Sequence, residues 1–327
     1  MTMPNRKIRW GVLGYARIAR ESLIPAIIRS TNSEFHAIAS REESKLAECQ
    51  ARYAVAQSHR GYEELLRDPT VDAVYIPLPN SLHREWTIRA AEHGKHVLCE
   101  KPLALNASEA REMIAACASH GVLLMEAFMY RYTDRTRQVR EVLRSGVLGE
   151  IKQVSSTFRF PLANPASIKL KPELGGGALY DVGCYPVNFI GMVADEAARA
   201  LVRPESVAVE CDRTGGIDMN FSALLKYPGG LLAAAHCGFN AHKRICSEIT
   251  GTKGVLEVPE TFFDPAGTLA LTLGDERREI PVAASDRYRF EVEDFADAII
   301  HRRAPHFALS ETLRNMEVID RLFAAMR

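Results

Sequence analysis

The chain has 327 residues, 47% of them hydrophobic and 25% charged, with 41 basic side chains balanced by 41 acidic ones. This is the composition of a globular protein, and the length suits two domains better than one. Zero net charge offers no broad cationic surface to nucleic acid or an anionic membrane. No apolar run approaches the roughly 20 residues of a membrane helix. The first ten residues hold no apolar signal-peptide core, so a cytoplasmic location is the expectation.

The seven cysteines (49, 99, 117, 184, 211, 237 and 246) form no C-x-x-C, and the ten histidines form no H-E-x-x-H. Several cysteines sit in apolar runs, which predicts buried free thiols. His236, Cys237, His242 and Cys246 lack the tight spacing of metal ligands, and no metal site is expected.

In chain order, residues 7–13 read as a first strand and Gly14-Tyr15-Ala16-Arg17-Ile18-Ala19 opens a helix running to about Arg29. Residues 35–39 form a second strand. Ser40 and Glu43, spaced as a capping box, start a second helix. A third strand, 72–76, ends at Pro77-Leu78-Pro79-Asn80, and a helix follows to His93 with Gly94 as its cap. Residues 96–99 are a fourth strand, stopped by Glu100-Lys101-Pro102. A helix from Asn106 to His120 carries a cap pattern in Asn106 and Glu109, and 122–125 form a fifth strand. Strands alternating with helices through short loops predict a doubly wound parallel sheet.

After Phe128 the pattern changes. A helix at 133–145 leads into strand-rich segments at 151–160, 205–212, 217–227, 230–240, 243–250 and parts of 268–281, then helices at 288–302 and 309–325. Hairpin turns such as Pro228-Gly229-Gly230 predict a mostly antiparallel sheet. The fold class is therefore α/β, an N-terminal Rossmann domain (1–127) plus a C-terminal α+β domain (128–327) for substrate binding and oligomerisation. The last helix is expected to return to the first domain.

The strict G-x-G-x-x-G fingerprint is altered. Gly14 supplies the tight turn and Ala19 still permits close helix–strand packing, but Ala16 replaces the glycine that lets backbone approach a pyrophosphate. The helix N-terminus with its free N–H groups remains. Where an NAD site usually has Asp or Glu after the second strand, this chain has Ala39-Ser40-Arg41. Ser40 serves as a helix cap or as a ligand to a 2′-phosphate. Arg41 serves as a solvated first-turn residue or as a planar cationic fork for that phosphate. Cationic charge is disfavoured at a helix N-terminus, and the charge argument favours NADP over NAD, with Glu42 and Glu43 close enough to serve NAD. The loop after the third strand should face the nicotinamide half, with Asn80 or Ser81 also able to cap the next helix.

A lysine at the carboxyl end of a parallel strand points into the crevice where such sheets bind ligands, and Pro102 restrains Lys101 to an extended backbone. Farther on, Gly175-Gly176-Gly177-Ala178-Leu179-Tyr180-Asp181-Val182-Gly183-Cys184-Tyr185-Pro186 combines glycines that permit a close backbone approach or an unusual turn with an acid and a phenol four residues apart on one helical face. Pro186 should kink or restart that helix. A carboxylate and a phenol so placed suit proton transfer, or else the tyrosine is simply buried against the sheet.

These two motifs together resemble the glucose–fructose oxidoreductase / inositol dehydrogenase / rhizopine catabolism (Gfo/Idh/MocA) family over residues 6–325. Ser40-Arg41, Leu124-Met125-Glu126-Ala127-Phe128-Met129 and Tyr185 are most similar to its branch of NADP-dependent xylose dehydrogenases, dimeric dihydrodiol dehydrogenases and 3-ketosugar reductases. Inositol dehydrogenases carry His where Tyr185 stands, so the likeness leads away from them. The resemblance implies hydride transfer between NADP (or NAD) and a sugar or polyol. Lys101 would sit near the nicotinamide ribose and the substrate hydroxyl, Tyr185 would give or take the proton, and Asp181 would orient substrate or lysine. The positions expected to hold the cofactor are Gly14, Ala16, Arg17, Ile18, Ser40, Arg41, Pro77, Leu78, Asn80, His83, Glu100 and Lys101. Tyr130, Arg131, Arg159 and Lys169 are candidate substrate groups, each more at home in a structural role. A homodimer or dimer-based tetramer is implied, and neither nucleic acid nor membrane is an expected partner. The alternatives are a trans-dihydrodiol dehydrogenase and a non-catalytic dinucleotide sensor. Intact Lys101, Asp181 and Tyr185 argue against the sensor.

Overall fold

The structure, a computed structural model, describes residues 6–326. It divides into two compact units. One runs up to Met129 and includes Asp286–Thr312; the other comprises Tyr130–Ser285 and the residues from Leu313 on.

The first unit is built on β1 (Ile8–Leu13), α1 (Ile24–Arg29), β2 (Ser33–Ser40), α2 (Glu43–Tyr53), β3 (Gln57–Arg60), α3 (Tyr62–Arg67), β4 (Ala73–Ile76), α4 (His83–Glu92), β5 (His96–Glu100), α5 (Ala107–Ser119) and β6 (Leu124–Ala127). The strands pair in parallel in the order β3-β2-β1-β4-β5-β6. β4 and the centre of β5 are buried throughout, as expected of strands covered by helices on both faces. The sequence pattern shows five of these six strands. β3 escapes it because Gln-Ser-His-Arg is a polar, partly exposed edge strand with no apolar run.

Two helix starts differ from expectation. Ser40 is still in the sheet, in register with Arg60, so α2 begins at Glu43 with Glu42 at its N-cap and no side-chain cap bond. Ser40 Oγ instead accepts from Glu42 N at 3.1 Å, a local turn that competes with capping. The helix expected from Gly14 to Arg29 is interrupted by a π-turn over Ala19–Leu23, and α1 restarts there with a proline in its first turn. At α5 the expected box forms. Asn106 Oδ1 accepts from Glu109 N at 2.9 Å, and the Glu109 carboxylate accepts from Leu105 N at 3.1 Å.

The second unit contains α6 (Asp134–Ser145), β7 (Ile151–Arg159), α7 (Cys184–Ala198), β8 (Ser206–Thr214), β9 (Ile217–Lys226), β10 (Leu232–Gly238), β11 (Arg244–Gly251), β12 (Gly254–Pro259), β13 (Gly267–Leu273) and β14 (Glu276–Val282). Its sheet has the order β14-β13-β12-β11-β7-β10-β9-β8, antiparallel except where β10 runs parallel to β7. Burial alternates along β9 from Asn220 to Lys226, the mark of a sheet covered on one face. The covering helix is α7, buried at every residue from Cys184 to Ala194, which packs on β7 and β10. β12 is absent from the sequence reading, and 268–281 resolves into β13 and β14.

The chain closes with α8 (Arg287–His301) and α9 (Leu309–Ala325). The sequence reading gives residues 128–327 to the second domain and returns only the last helix to the first, whereas α8 belongs to the first unit and α9, from Leu313 on, to the second. Asp286, just ahead of α8, receives two bonds from Arg29 at 2.9 and 3.0 Å. Buried Phe295 lies 5.8 Å from the Trp10 ring. Amphipathic periodicity shows that a helix has a buried face but not which partner buries it. No helix among the described residues is long and apolar enough to cross a membrane.

Candidate active site

The parallel sheet of the first unit brings the carboxyl ends of its strands to one edge. At the end of β1, Gly14 adopts φ +102°, and a Cβ there would lie 3.1 Å from Leu78 Cδ2. Its N–H donates to Ala39 O at 2.8 Å, which ties the turn to β2. Ala16 and Ile18 are half-buried, and exposed Arg17 lies 3.7 Å from Glu21. Ser40 is buried and Arg41 exposed, with the Arg41 guanidinium 5.9 Å from the centre of the Tyr62 ring. Arg41, Arg60, Tyr62, Arg67 and Trp86 line an open cavity of about 560 Å³. A turn narrowed by the Ala16 methyl, and a cavity in which Glu63, Glu64 and Glu85 stand among the cations and aromatic faces, are the groups available to the pyrophosphate and adenosine end of a dinucleotide.

After β4, Pro77 is buried while Leu78 and Asn80 are half-buried. The N-cap of α4 is Leu82, with no side-chain cap bond, so the capping role open to Asn80 and Ser81 is not taken. His83 is 0% exposed. Its Nδ1 lies 3.0 Å from Pro102 O and its Nε2 2.9 Å from Leu78 O. The sequence reading places His83 among the cofactor ligands, but both ring nitrogens are engaged by protein carbonyls in a closed interior.

After β5, the Lys101–Pro102 peptide is cis. Half-buried Glu100 accepts a hydrogen bond from the Tyr75 hydroxyl. Burial, followed by the Glu100 charge, pushes the Tyr75 phenol well above its ordinary range, so this tyrosine remains a donor. On the other side of Lys101, Leu103 N donates to Glu126 Oε1 at 2.9 Å. Glu126 on β6 is 0% exposed, and burial raises its carboxyl from 4.5 to about 8. The chain around Lys101 is thus tied through the Glu100 side chain before it and the Leu103 N–H two residues after it.

In the second unit the three glycines form a tight backbone crossing. Gly176 N donates to Lys171 O at 3.0 Å and Gly177 N to Lys169 O at 2.9 Å. A Cβ on Gly177, at φ +121°, would lie 2.3 Å from Asp218 Oδ1. Asp218 Oδ2 accepts from Leu179 N at 2.6 Å, and burial raises its carboxyl to about 6. The glycines therefore make room for a buried carboxyl at the start of the next turn. That turn, Leu179–Gly183, is a π-turn running directly into α7, a distortion of the kind that gathers at functional sites.

Asp181 lies in the π-turn, its Oδ2 2.6 Å from Lys169 Nζ. Lys169 also stands 5.3 Å from the centre of the Phe160 ring. Tyr185, 4% exposed, has its ring centre 5.3 Å from both Phe158 and Phe262 and 5.9 Å from Tyr130. Buried Tyr130 donates to Asn188 Oδ1 at 2.5 Å, and buried Arg131 donates to the same oxygen at 3.1 Å. These two residues support α7. Arg159, at the end of β7, is half-buried.

Of the expected site residues, the first unit gathers Gly14, Ser40, Arg41, Leu78, Asn80, Glu100 and Lys101 along one sheet edge. The second gathers Asp181, Tyr185 and their neighbours around the start of α7. Sequence reasoning missed Glu126, Asp218 and Asn188 as supports. An acid inside an apolar strand run is the available signal for Glu126, since a buried carboxyl needs a partner.

Both units match known proteins. Residues 8–128 match the model of an oxidoreductase family with an NAD-binding Rossmann fold, GFO_IDH_MocA, and residues 136–257 match the C-terminal domain model of the same family. A D-xylose 1-dehydrogenase (NADP(+)) of Haloferax volcanii is 37% identical over 321 residues, 96% of each chain. A trans-1,2-dihydrobenzene-1,2-diol dehydrogenase of Xenopus laevis is 31% identical over 80% of this chain and 78% of its own. The crystal structure of a 3-ketoreductase from Actinomadura kijaniata, in complex with NADP and TDP-benzene, superposes with a TM-score of 0.91 at 31% identity, covering 98% of both chains.

The Glu126 carboxyl carries a testable consequence. With its value raised from 4.5 to about 8 in the folded protein, the stability it contributes is fully present below about 4.5 and is lost as pH rises through about 8. Thermal unfolding of the wild type should therefore fall relative to Glu126→Gln between pH 5 and 9. Parallel stability curves for the two proteins over that range would refute the assignment.

Proposed function

The chain belongs to the Gfo/Idh/MocA family of NAD(P)-dependent oxidoreductases, and we propose that it works with NADP(H) on a hydroxyl or carbonyl carbon of a sugar, with Lys101 and Tyr185 as its catalytic pair. The observation that carries this reading is the double restraint around Lys101, through Tyr75 on Glu100 and Glu126 on Leu103 N. A solvated loop lysine needs no such support. The names of the relatives, a xylose dehydrogenase and a 3-ketoreductase, support a sugar.

The nicotinamide, when bound, supplies or accepts the hydride. In reduction Tyr185 gives its proton to the substrate oxygen, and in oxidation it removes the hydroxyl proton. A free phenol, with a pKa of about 10, is a weak base near neutrality. A nearby ammonium stabilises the phenolate, and that is the role assigned to Lys101. Asp181, paired with Lys169, orients substrate hydroxyls. Arg41, beside buried Ser40 at the end of β2, takes the 2′-phosphate as a planar fork. The protein assembles as a homo-oligomer, for which exposed Leu224 (65%) and Leu232 (50%) on the second unit's sheet supply apolar surface.

Three measurements test this reading. NADP⁺ should bind at least about tenfold tighter than NAD⁺, a difference of about 1.4 kcal/mol, and Arg41→Ala should erase most of it; equal wild-type affinities would defeat the NADP assignment. On a panel of aldoses, ketosugars and dihydrodiols, Lys101→Met and Tyr185→Phe should each cut turnover by about 10²–10⁴-fold with cofactor binding retained. Unchanged turnover would remove the pair, and turnover on dihydrodiols alone would replace the sugar. In sedimentation at micromolar concentration, a monomer only would end the oligomer proposal.

A further inference from the structure

His83 is the first residue of α4, yet its side chain reaches into a neighbouring loop. It is 0% exposed. One ring nitrogen meets the carbonyl of Leu78, in the loop that leaves β4, and the other meets that of Pro102, in the loop that leaves β5. β4 and β5 are paired neighbours, Ile76 opposite Cys99, so one ring spans two adjacent strand-end loops. Leu78 also approaches Gly14 from its own side, and Pro102 directly follows Lys101.

We propose that His83 is a positioning residue, a staple that sets the spacing of these two loops and thereby holds Lys101 in its working place without touching substrate or cofactor. The proposal rests on the reading of Lys101 as catalytic. A buried carbonyl without a donor is costly, and each of the two loops leaving the sheet here brings one carbonyl to the same ring. An imidazole is rigid and carries polar atoms on opposite edges, so it bridges carbonyls that a flexible amide or a single hydroxyl would not span. A neutral ring donates to one carbonyl, and a second proton would let it donate to both. Burial lowers the His83 pKa and the nearby Lys101 charge lowers it further, while the backbone carbonyls at Leu78, Pro102 and Leu103 raise it. In the neutral form, towards which burial shifts the ring, one nitrogen donates and the other only packs against the second carbonyl; loss of the ring nitrogens removes the bond in either form.

Displacement of a catalytic group by about 1 Å can cost on the order of 10²-fold in rate. The decisive variants are His83→Phe, which keeps a ring and removes both polar edges, and His83→Gln, which retains an amide donor. Leu65→Ala serves as the control, a buried position of α3 outside both loops, and Lys101→Met tests the underlying reading. Each protein is assayed for kcat across pH on the best sugar of the panel, for unfolding temperature, and for binding of 2′,5′-ADP as a probe of the adenosine end. His83→Phe should lose about 10²-fold in kcat with 2′,5′-ADP affinity unchanged. The rising limb of its oxidation profile should move to higher pH, because a displaced Lys101 stabilises the phenolate less. His83→Gln should fall between His83→Phe and wild type, and decides the matter on the same criteria if the phenylalanine variant does not fold. Wild-type kcat and pH limb in the His83 variants overturn the staple. So does a loss no larger than that of Leu65→Ala at equal unfolding temperature with the limb unmoved. If Lys101→Met itself turns over normally, the catalytic reading has failed and the staple's purpose with it.

Discussion

The first unit depends on how two loops leave a buried parallel sheet. Backbone emerging from β4 and β5 carries donors and acceptors that the ladder no longer satisfies and that water does not reach. The protein supplies side chains for them. His83 meets two carbonyls, Glu126 takes the N–H of Leu103, and Tyr75 holds the Glu100 carboxylate at the strand end. Each supporting group is itself a buried polar group that is expensive without its partner. The loops and their supports are therefore mutually required, and Lys101 lies in the middle of the arrangement.

The second unit meets the same constraint in another way. The backbone at the start of the π-turn before α7 is satisfied by Asp218, a carboxyl that is 3% exposed. A carboxyl can approach that closely only where the passing chain has no side chain, hence Gly177 at φ +121°. Gly176 sits equally tightly, with its absent Cβ 2.7 Å from Lys169 O. The same crossing carries Lys169 to Asp181. Of the two sequence readings of these glycines, a close approach to a ligand or an unusual turn, the structure shows the tight turn, made against protein atoms.

The alternation of strands and helices, the switch to an antiparallel sheet and the Asn106–Glu109 cap were legible because each rests on local periodicity or spacing. The polar edge strand β3 was not, since Gln57–Arg60 has no apolar face to declare it. The Ser40–Glu43 pattern is a capping box by spacing alone. It fails because Ser40 is held in the sheet opposite Arg60, a tertiary fact that outranks a local preference. α8 was legible as a helix but not as a member of the first unit. Its attachment through Arg29 and Trp10 joins residues more than 250 positions apart. The residues proposed to carry chemistry stand out in sequence through Glu100-Lys101-Pro102 and the glycine-rich stretch. Their supports did not, because a buried carboxyl or imidazole is distinguished by its surroundings and not by its neighbours in sequence.

This difference separates two kinds of polar residue in the protein. Lys101, Arg41 and Asp181 are at least partly open to solvent. Glu126, Asp218 and His83 are shut away, and burial shifts each of them towards its neutral form, the two acids upwards and the histidine downwards. A neutral carboxyl keeps both a donor and an acceptor, so it can bridge backbone groups of either sense without importing a charge that water cannot screen. Burial thus raises the cost of charging all three side chains, which serve the fold through hydrogen bonds. The charges proposed for chemistry are those left partly in the open.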